Sequence, residues 1–193
     1  MDVIKIKHRE FIVTERIDEK SAIASLKNKQ YLVTSYDPKS QEGQIFSYSL
    51  KRISNSPIVS PKLIFVDKKS GYIVREYVAT ENVMDIISRE DLSEDVYDQL
   101  FKNAYFARVS SMTLDYSPNA WGIKDGKLYY LAGTFTPYVK EKDLVDKYIR
   151  LWFNTRELAE FLKNNGVSYD KSRTKDEYSV NKQIVLMACK YYR

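Results

Sequence analysis

The hydrophobic periodicity of this chain passes from mainly strand-like to mainly helical near Ala79, and that change limits the architectures open to it. Before it, short runs rich in β-formers (Phe11-Ile12-Val13, Ala22-Ile23-Ala24, Tyr31-Leu32-Val33) alternate with polar turns around Asp18-Glu19-Lys20 and Lys27-Asn28-Lys29. This is the pattern of a three-strand meander. From Gln41 to Ile53 the spacing becomes helical, with Ile45, Tyr48 or Ser49, and Arg52 or Ile53 on one stripe, and Asn55-Ser56-Pro57 stops it. Lys62 to Val66 and Tyr72 to Val78 follow, joined by Asp67-Lys68-Lys69-Ser70-Gly71, a good hairpin loop. Residues 1–78 are therefore expected to form a five-stranded antiparallel sheet with one helix.

Beyond Ala79 helix dominates. Val83, Ile86 and Ile87 mark one helix; Val96, Leu100, Ala104 and Ala107 mark a longer one, begun by Ser93 with Glu94 and Asp95 suited to a helix N-terminus. Residues 144–162 carry apolar side chains at helical intervals, with Asn154-Thr155 able to divide them into two helices and Asn164-Asn165-Gly166 ending them. A last helix is expected over 180–191. Its Ile184 to Ala188 run makes Cys189 most simply a small core residue.

Composition narrows the chemistry. With one cysteine there is no intrachain disulfide; with one histidine a zinc site of Cys/His type lacks its ligands, and a Ser-His-Asp or Cys-His triad could use only His8, which lies on a solvated basic edge. A reducing, cytoplasmic setting is the expectation. No run of about 18 apolar residues is present and the N-terminus lacks a signal-peptide core, so a soluble chain without membrane contact is expected. The net charge of +5 admits an acidic partner. Lys5, Lys7, Arg9, Lys171, Arg173, Lys175, Lys182, Lys190 and Arg193 are the candidate nucleic-acid contacts, although no RNA-binding aromatic signature or zinc-finger spacing accompanies them.

The segment from Leu114 to Gly133 is the richest in chemistry. Asp115 stands in a loop containing Pro118, just after a helical stretch. Lys124-Asp125-Gly126-Lys127 then favours a two-residue hairpin turn flanked by Ile123 and Leu128. This loop and hairpin resemble the catalytic loop of protein kinases, and the order of strands, helix, strands and helical half is similar to theirs. In size the chain looks closest to minimal kinases of the RIO type and related archaeal-type small kinases.

The resemblance implies an α+β, small bilobal protein kinase-like fold: a sheet-rich N-lobe over residues 1–78 and a shortened, mainly helical C-lobe over 79–193. It places Asp115 at the catalytic base. An ungapped hairpin alignment puts Ala120 where a metal-binding Asn is usual, leaving Asn119 one position early, and Ala132-Gly133-Thr134 at the metal-binding Asp-Phe-Gly. A methyl group cannot hold Mg²⁺, which needs oxygen ligands.

The phosphate-covering turn corresponds to residues 17–22, which lack glycine, and the phosphate-pairing Lys corresponds to Thr34. Lys27 or Lys29 is the nearest replacement for that Lys, and Glu42 the nearest match to its helix partner. Glu76-Tyr77-Val78 falls at the adenine-binding hinge. The expectation is a catalytically impaired, pseudokinase-like module that binds a protein partner, with ATP and Mg²⁺ the cofactors it would take if any. Tyr129-Tyr130 and Tyr191-Tyr192 are its candidate contact clusters. The alternatives are a divergent ATP-dependent phosphotransferase, with Asp115 as base, Asn119 on the metal and Asp125 or Asp143 as a substitute ligand, and a basic nucleic-acid-binding protein.

Overall fold

The early strands are rich in β-formers, and residues such as Ala22-Ile23-Ala24 and Ile73-Val74-Arg75 are buried in succession rather than in alternation. The structure, a computed structural model, describes residues 2–191. The chain divides into two compact units: a strand-rich one holding the chain up to Asn55 together with Ser60–Ala79, and a helical one holding Ser56–Val59 and everything from Thr80.

In the strand-rich unit, β1 (Val3–Ile6), β2 (Arg9–Arg16), β3 (Ser21–Leu26), β4 (Lys29–Ser35), β5 (Leu63–Asp67) and β6 (Tyr72–Glu76) form one antiparallel sheet in the order β1-β2-β3-β4-β6-β5. The sheet has six strands, not five. The Val3-Ile4 and Ile6 segment is itself a strand, turned into β2 by Lys7 with φ +55°. Register shifts at Thr14 and Ile64 are bulges, which strengthen strand twist. The sheet curls until Phe11 of β2 lies 6.4 Å from Phe65 of the far edge strand β5. Inside the curl Ile6, Phe11, Ala24, Val33 and Val74 are buried together.

Helix α1 (Gln41–Ser54) is capped by Ser40, whose hydroxyl accepts from the Gly43 amide at 3.0 Å. It buries Ser47, Ser49, Leu50 and Ile53, whereas Ile45 and Tyr48 stand in solvent. Of the stripe read from sequence, the alternatives Ser49 and Ile53 pack, whereas Ile45 and Tyr48 do not. On β6, Arg75 is buried, and desolvation brings its pKa down to about 10.

In the helical unit, β7 (Glu81–Asn82) leads into α2 (Val83–Arg89) and α3 (Glu94–Val109). Then come β8 (Met112–Thr113), β9 (Trp121–Lys124), β10 (Lys127–Tyr130) and β11 (Thr136–Pro137). The sheet β10-β9-β7 and the pair β11-β8 are both antiparallel.

The β9–β10 turn is the Asp-Gly turn read from sequence, with φ +50° at Asp125 and +73° at Gly126, the pairing a type I′ turn requires. Gly122 is needed for closeness: a Cβ there would meet the Thr80 hydroxyl oxygen at 2.3 Å. Gln99 of α3 ties the hairpin down, its amide donating to the Gly126 carbonyl at 2.8 Å while its oxygen accepts from the Leu128 amide at 2.9 Å.

Residues 144–152 coil as a π turn followed by a 3-10 turn rather than as an α-helix. Thr155 then caps α4 (Arg156–Asn164), accepting from the Leu158 amide. Ser93 precedes α3 without a side-chain cap bond. The final helix, α5 (Glu177–Tyr191), packs through Val180 and Ile184 and leaves Cys189 exposed, so the cysteine is not a core residue. No helix among the described residues is long and apolar enough to cross a membrane.

Candidate functional site

The loop between β8 and β9 alternates inward and outward side chains: Leu114 and Tyr116 are buried, Asp115 is exposed, Pro118 is buried and Asn119 exposed. Its main chain is held by aromatic polar groups, because buried peptide groups must find partners. The Asp115 amide donates to the Tyr130 hydroxyl at 3.2 Å, and that hydroxyl donates to the Thr134 carbonyl at 2.7 Å. Trp121 Nε1 donates to the Asp115 carbonyl at 2.9 Å, and Trp152 Nε1 to the Tyr116 carbonyl at 2.7 Å. Tyr97 in turn donates to the Trp152 carbonyl at 2.7 Å.

The rings support one another. Trp121 lies 4.9 Å from Tyr130, edge-on to Trp152 at 6.1 Å and stacked on Tyr116 at 6.3 Å. Burial pushes the Tyr130 phenol up to about 12, so it keeps its proton at ordinary pH. Tyr130 is therefore a fully buried anchor rather than part of an exposed cluster, and Tyr129 is half-buried. Tyr191 stacks on Phe101 at 6.2 Å, whereas Tyr192 and Arg193 lie outside the described residues.

On this loop the Asp115 carboxylate folds back on its own turn. Its Oδ1 accepts from the Ser117 amide at 2.9 Å and from the Ser117 hydroxyl, the bonding of an Asx turn. Asn119 is one residue from the buried Ala120, and its carbonyl accepts from Asn82 Nδ2 at 3.2 Å. Asp143 is buried and engaged, accepting from the Leu144 amide at 2.8 Å and the Tyr138 hydroxyl at 3.2 Å. Asp125 is a turn residue. No three His, Cys, Asp or Glu side chains gather as a metal-ligand group among the described residues. As arranged, Asp115, Asn119, Asp125 and Asp143 do not fit Mg²⁺, which takes several oxygens in near-octahedral geometry.

The strand-rich unit holds the other candidates. In the β2–β3 turn the amides of Lys20 and Ser21 both donate to Asp18 Oδ1 at 2.7 Å, and those of Ile17 and Asp18 donate to the Ser21 carbonyl. A phosphate cradle needs such amides turned outward, and here a carboxylate already occupies two of them. Thr34 is buried, 3.4 Å from the Ser21 hydroxyl. Lys29 is exposed and pairs across the turn with Leu26, while Lys27 and Asn28, with φ +50° and +63°, form that turn. Glu42 lies exposed in the first turn of α1.

At Glu76-Tyr77-Val78 the amide of Glu76 donates to the Lys62 carbonyl at 2.8 Å and that of Tyr77 to the Gln30 carbonyl at 3.3 Å. Two of the three backbone donors proposed for adenine are therefore engaged within the unit. Asp115 and Asn119 share one loop; Lys29, Glu76, Tyr77 and Val78 belong to the strand-rich unit.

Of the basic candidates in the helical unit, Arg173 and Lys175 meet Asp91 at 3.1 and 2.8 Å, and Lys190 pairs with Asp98. The Lys175 bond is the largest influence holding the Asp91 carboxyl below its usual range, and Asn154 adds another hydrogen bond. A folded-state pKa below the unfolded value of about 3.9 contributes stability that is present above that value and lost as pH falls through the folded pKa. Asp91→Asn is expected to lower stability by about 1 kcal/mol or less at pH 7, given the exposure of the pair. Melting temperatures of variant and parent should converge as the pH falls below about 3.9 and on through the lower folded-state pKa; a gap unchanged by acid would show that charge is not the cause.

Of the residues that matter most here, Trp121, Trp152 and Ser117 are not singled out by sequence, and Tyr130 is read there as an exposed contact rather than as an anchor. Only Ser117 carried a local signal, two residues after an Asp in a loop. No known family model matches the chain, and no curated protein matches it.

Proposed function

We propose that this chain is a kinase-like module with a dismantled phosphotransfer site that acts by binding a protein partner. The observation that carries the reading is the Asp115 carboxylate, turned onto Ser117 in a loop whose main chain is held by Tyr130, Trp121 and Trp152. Support comes also from the element order: a curled antiparallel sheet, one helix before its last hairpin, then a long helix, a carboxylate loop and a hairpin. Phosphoryl transfer depends on positioning and charge neutralisation. Thr34, Ala120 and the Asp18-filled turn supply neither. For the binding role, Tyr178, Val185 and Leu186 of α5 remain in solvent and offer apolar area of the kind protein contacts use.

Thermal unfolding with and without millimolar ATP and Mg²⁺ tests the reading. A ligand at 100 times its Kd stabilises by about 2.7 kcal/mol, worth roughly 5–10 °C in a chain this size. The expected result is no metal-dependent rise. A rise that disappears in Asp115→Ala would instead favour the divergent phosphotransferase.

A further inference from the structure

The net charge of +5 is not shared between the two units. The strand-rich unit carries 14 Lys and Arg against nine Asp and Glu, whereas the helical unit carries 17 of each. Within the strand-rich unit, the β1–β2 hairpin reaches the far edge of the curled sheet and sets two cations on one ring. Lys7 Nζ lies 5.2 Å and the Arg9 guanidinium 5.6 Å from the centroid of Phe65. Each contact contributes roughly 0.5–1 kcal/mol at an exposed site, enough to hold like charges close together.

Lys5 precedes them on the hairpin, and Lys68 and Lys69 stand exposed in the turn after β5. The opposing acids are few. Glu10 pairs with Lys5 at 3.0 Å, and Asp67 is buried and engaged with Ser70 and the Lys69 amide, with Lys7 the nearby cation that its charge faces.

We infer that this hairpin edge, Lys5, Lys7 and Arg9 with Lys68 and Lys69, is a contact surface for the phosphate backbone of a nucleic acid. A polyanion with regularly repeated charges gains from such a surface by releasing condensed counterions, without needing a pocket. Membrane docking calls for apolar or aromatic side chains free to insert beside the cations, and here Phe65 is roofed by Lys7 and Arg9. A protein interface would need an apolar centre, which the same roof covers. The inference is independent of Asp115 and of the protein-binding role.

Fluorescence anisotropy of a labelled 20-nucleotide single strand and a 20-base-pair duplex, at 50 and 200 mM KCl, tests it. Three to five phosphate contacts weaken affinity roughly 40- to 500-fold between those concentrations. Lys7→Glu/Arg9→Glu should weaken binding at least tenfold. Lys68→Glu/Lys69→Glu, which leaves the Phe65 stack intact, should lower the salt slope by about 0.9 per lost contact. Lys142→Glu/Lys163→Glu makes the same charge change on exposed positions of the helical unit and should have little effect. Preference for one strand form identifies the source of the phosphates and supports the surface in either case. No binding at 50 mM, equal loss in the Lys142/Lys163 control, or equal competition by polyglutamate or anionic vesicles would each overturn it.

Discussion

Replacing Trp152 by Ala is expected to lower the unfolding free energy by about 3–5 kcal/mol, a fall in Tm on the order of 10 °C. The indole is fully buried, edge-on to Trp121, and its removal empties the centre of the aromatic group behind the Asp115 loop. It also leaves the Tyr116 carbonyl without the indole donor 2.7 Å away. Trp152→Phe separates the two effects, since it keeps most of the volume and loses the N–H. Its cost should be about 1–3 kcal/mol, the range for a buried group left unsatisfied. Denaturant unfolding of both variants measures this, and a Phe variant as stable as the parent would show that the carbonyl does not depend on the indole.

Tyr130→Phe is the second large expected effect, and it acts on the loop more selectively. The hydroxyl accepts from the Asp115 amide and donates to the Thr134 carbonyl, so one oxygen atom joins two segments on either side of the β9–β10 hairpin. Its loss leaves a part-buried donor and acceptor without this partner, for a cost of about 1–2 kcal/mol. The half-buried neighbour Tyr129 provides the contrast. Tyr129→Phe should cost under about 0.5 kcal/mol, as surface substitutions usually do. Equal effects from the two would mean that the Tyr130 hydroxyl is not the joint it is taken to be here.

The pattern of strands, turns and helices was largely legible because local chemistry determines it. The Asp125-Gly126 turn needs two positive φ angles, and few residue pairs besides Asp-Gly accept them readily. Thr155 after Asn154 marked the start of α4 for a similar reason, as a side chain suited to capping.

Strand β1 was missed because its turn contains no glycine, Lys7 taking the positive φ, and because only Ile6 of its residues is fully buried. Cys189 and Ile45 were misread for the same cause: an apolar residue at a helical interval does not reveal which face meets a partner. The anchoring roles of Tyr130, Trp121 and Trp152 stayed hidden because their polar atoms bond to main-chain groups that only the fold brings near, 36 residues away for Trp152. The two cations over Phe65 likewise depend on the curl of the sheet. The candidate residues Asp115 and Asn119 were legible as a loop, but the engagement of the Asp115 carboxylate by Ser117 was not anticipated.

The distribution of charge and the state of the loop bear on different roles. The helical unit is electrically neutral overall, and three of its candidate cations, Arg173, Lys175 and Lys190, are engaged by Asp91 and Asp98. The strand-rich unit keeps its excess on an edge. Long-range attraction of a polyanion is therefore a property of that edge, separable by substitution from whatever Asp115 does.

The most direct test of the account is amide hydrogen exchange across residues 114–121, followed with and without Mg²⁺ and ATP. A loop held through its main chain by Tyr130, Trp121 and Trp152, with its carboxylate already in its own turn, should show the Asp115 amide protected in the free protein. The protection should be unchanged by the nucleotide and lost selectively in Tyr130→Phe. Rapid exchange in the free protein that slows when Mg²⁺ and ATP are added would contradict the account, because the loop would then be ordered by the ligand and Asp115 would belong to a working phosphate site.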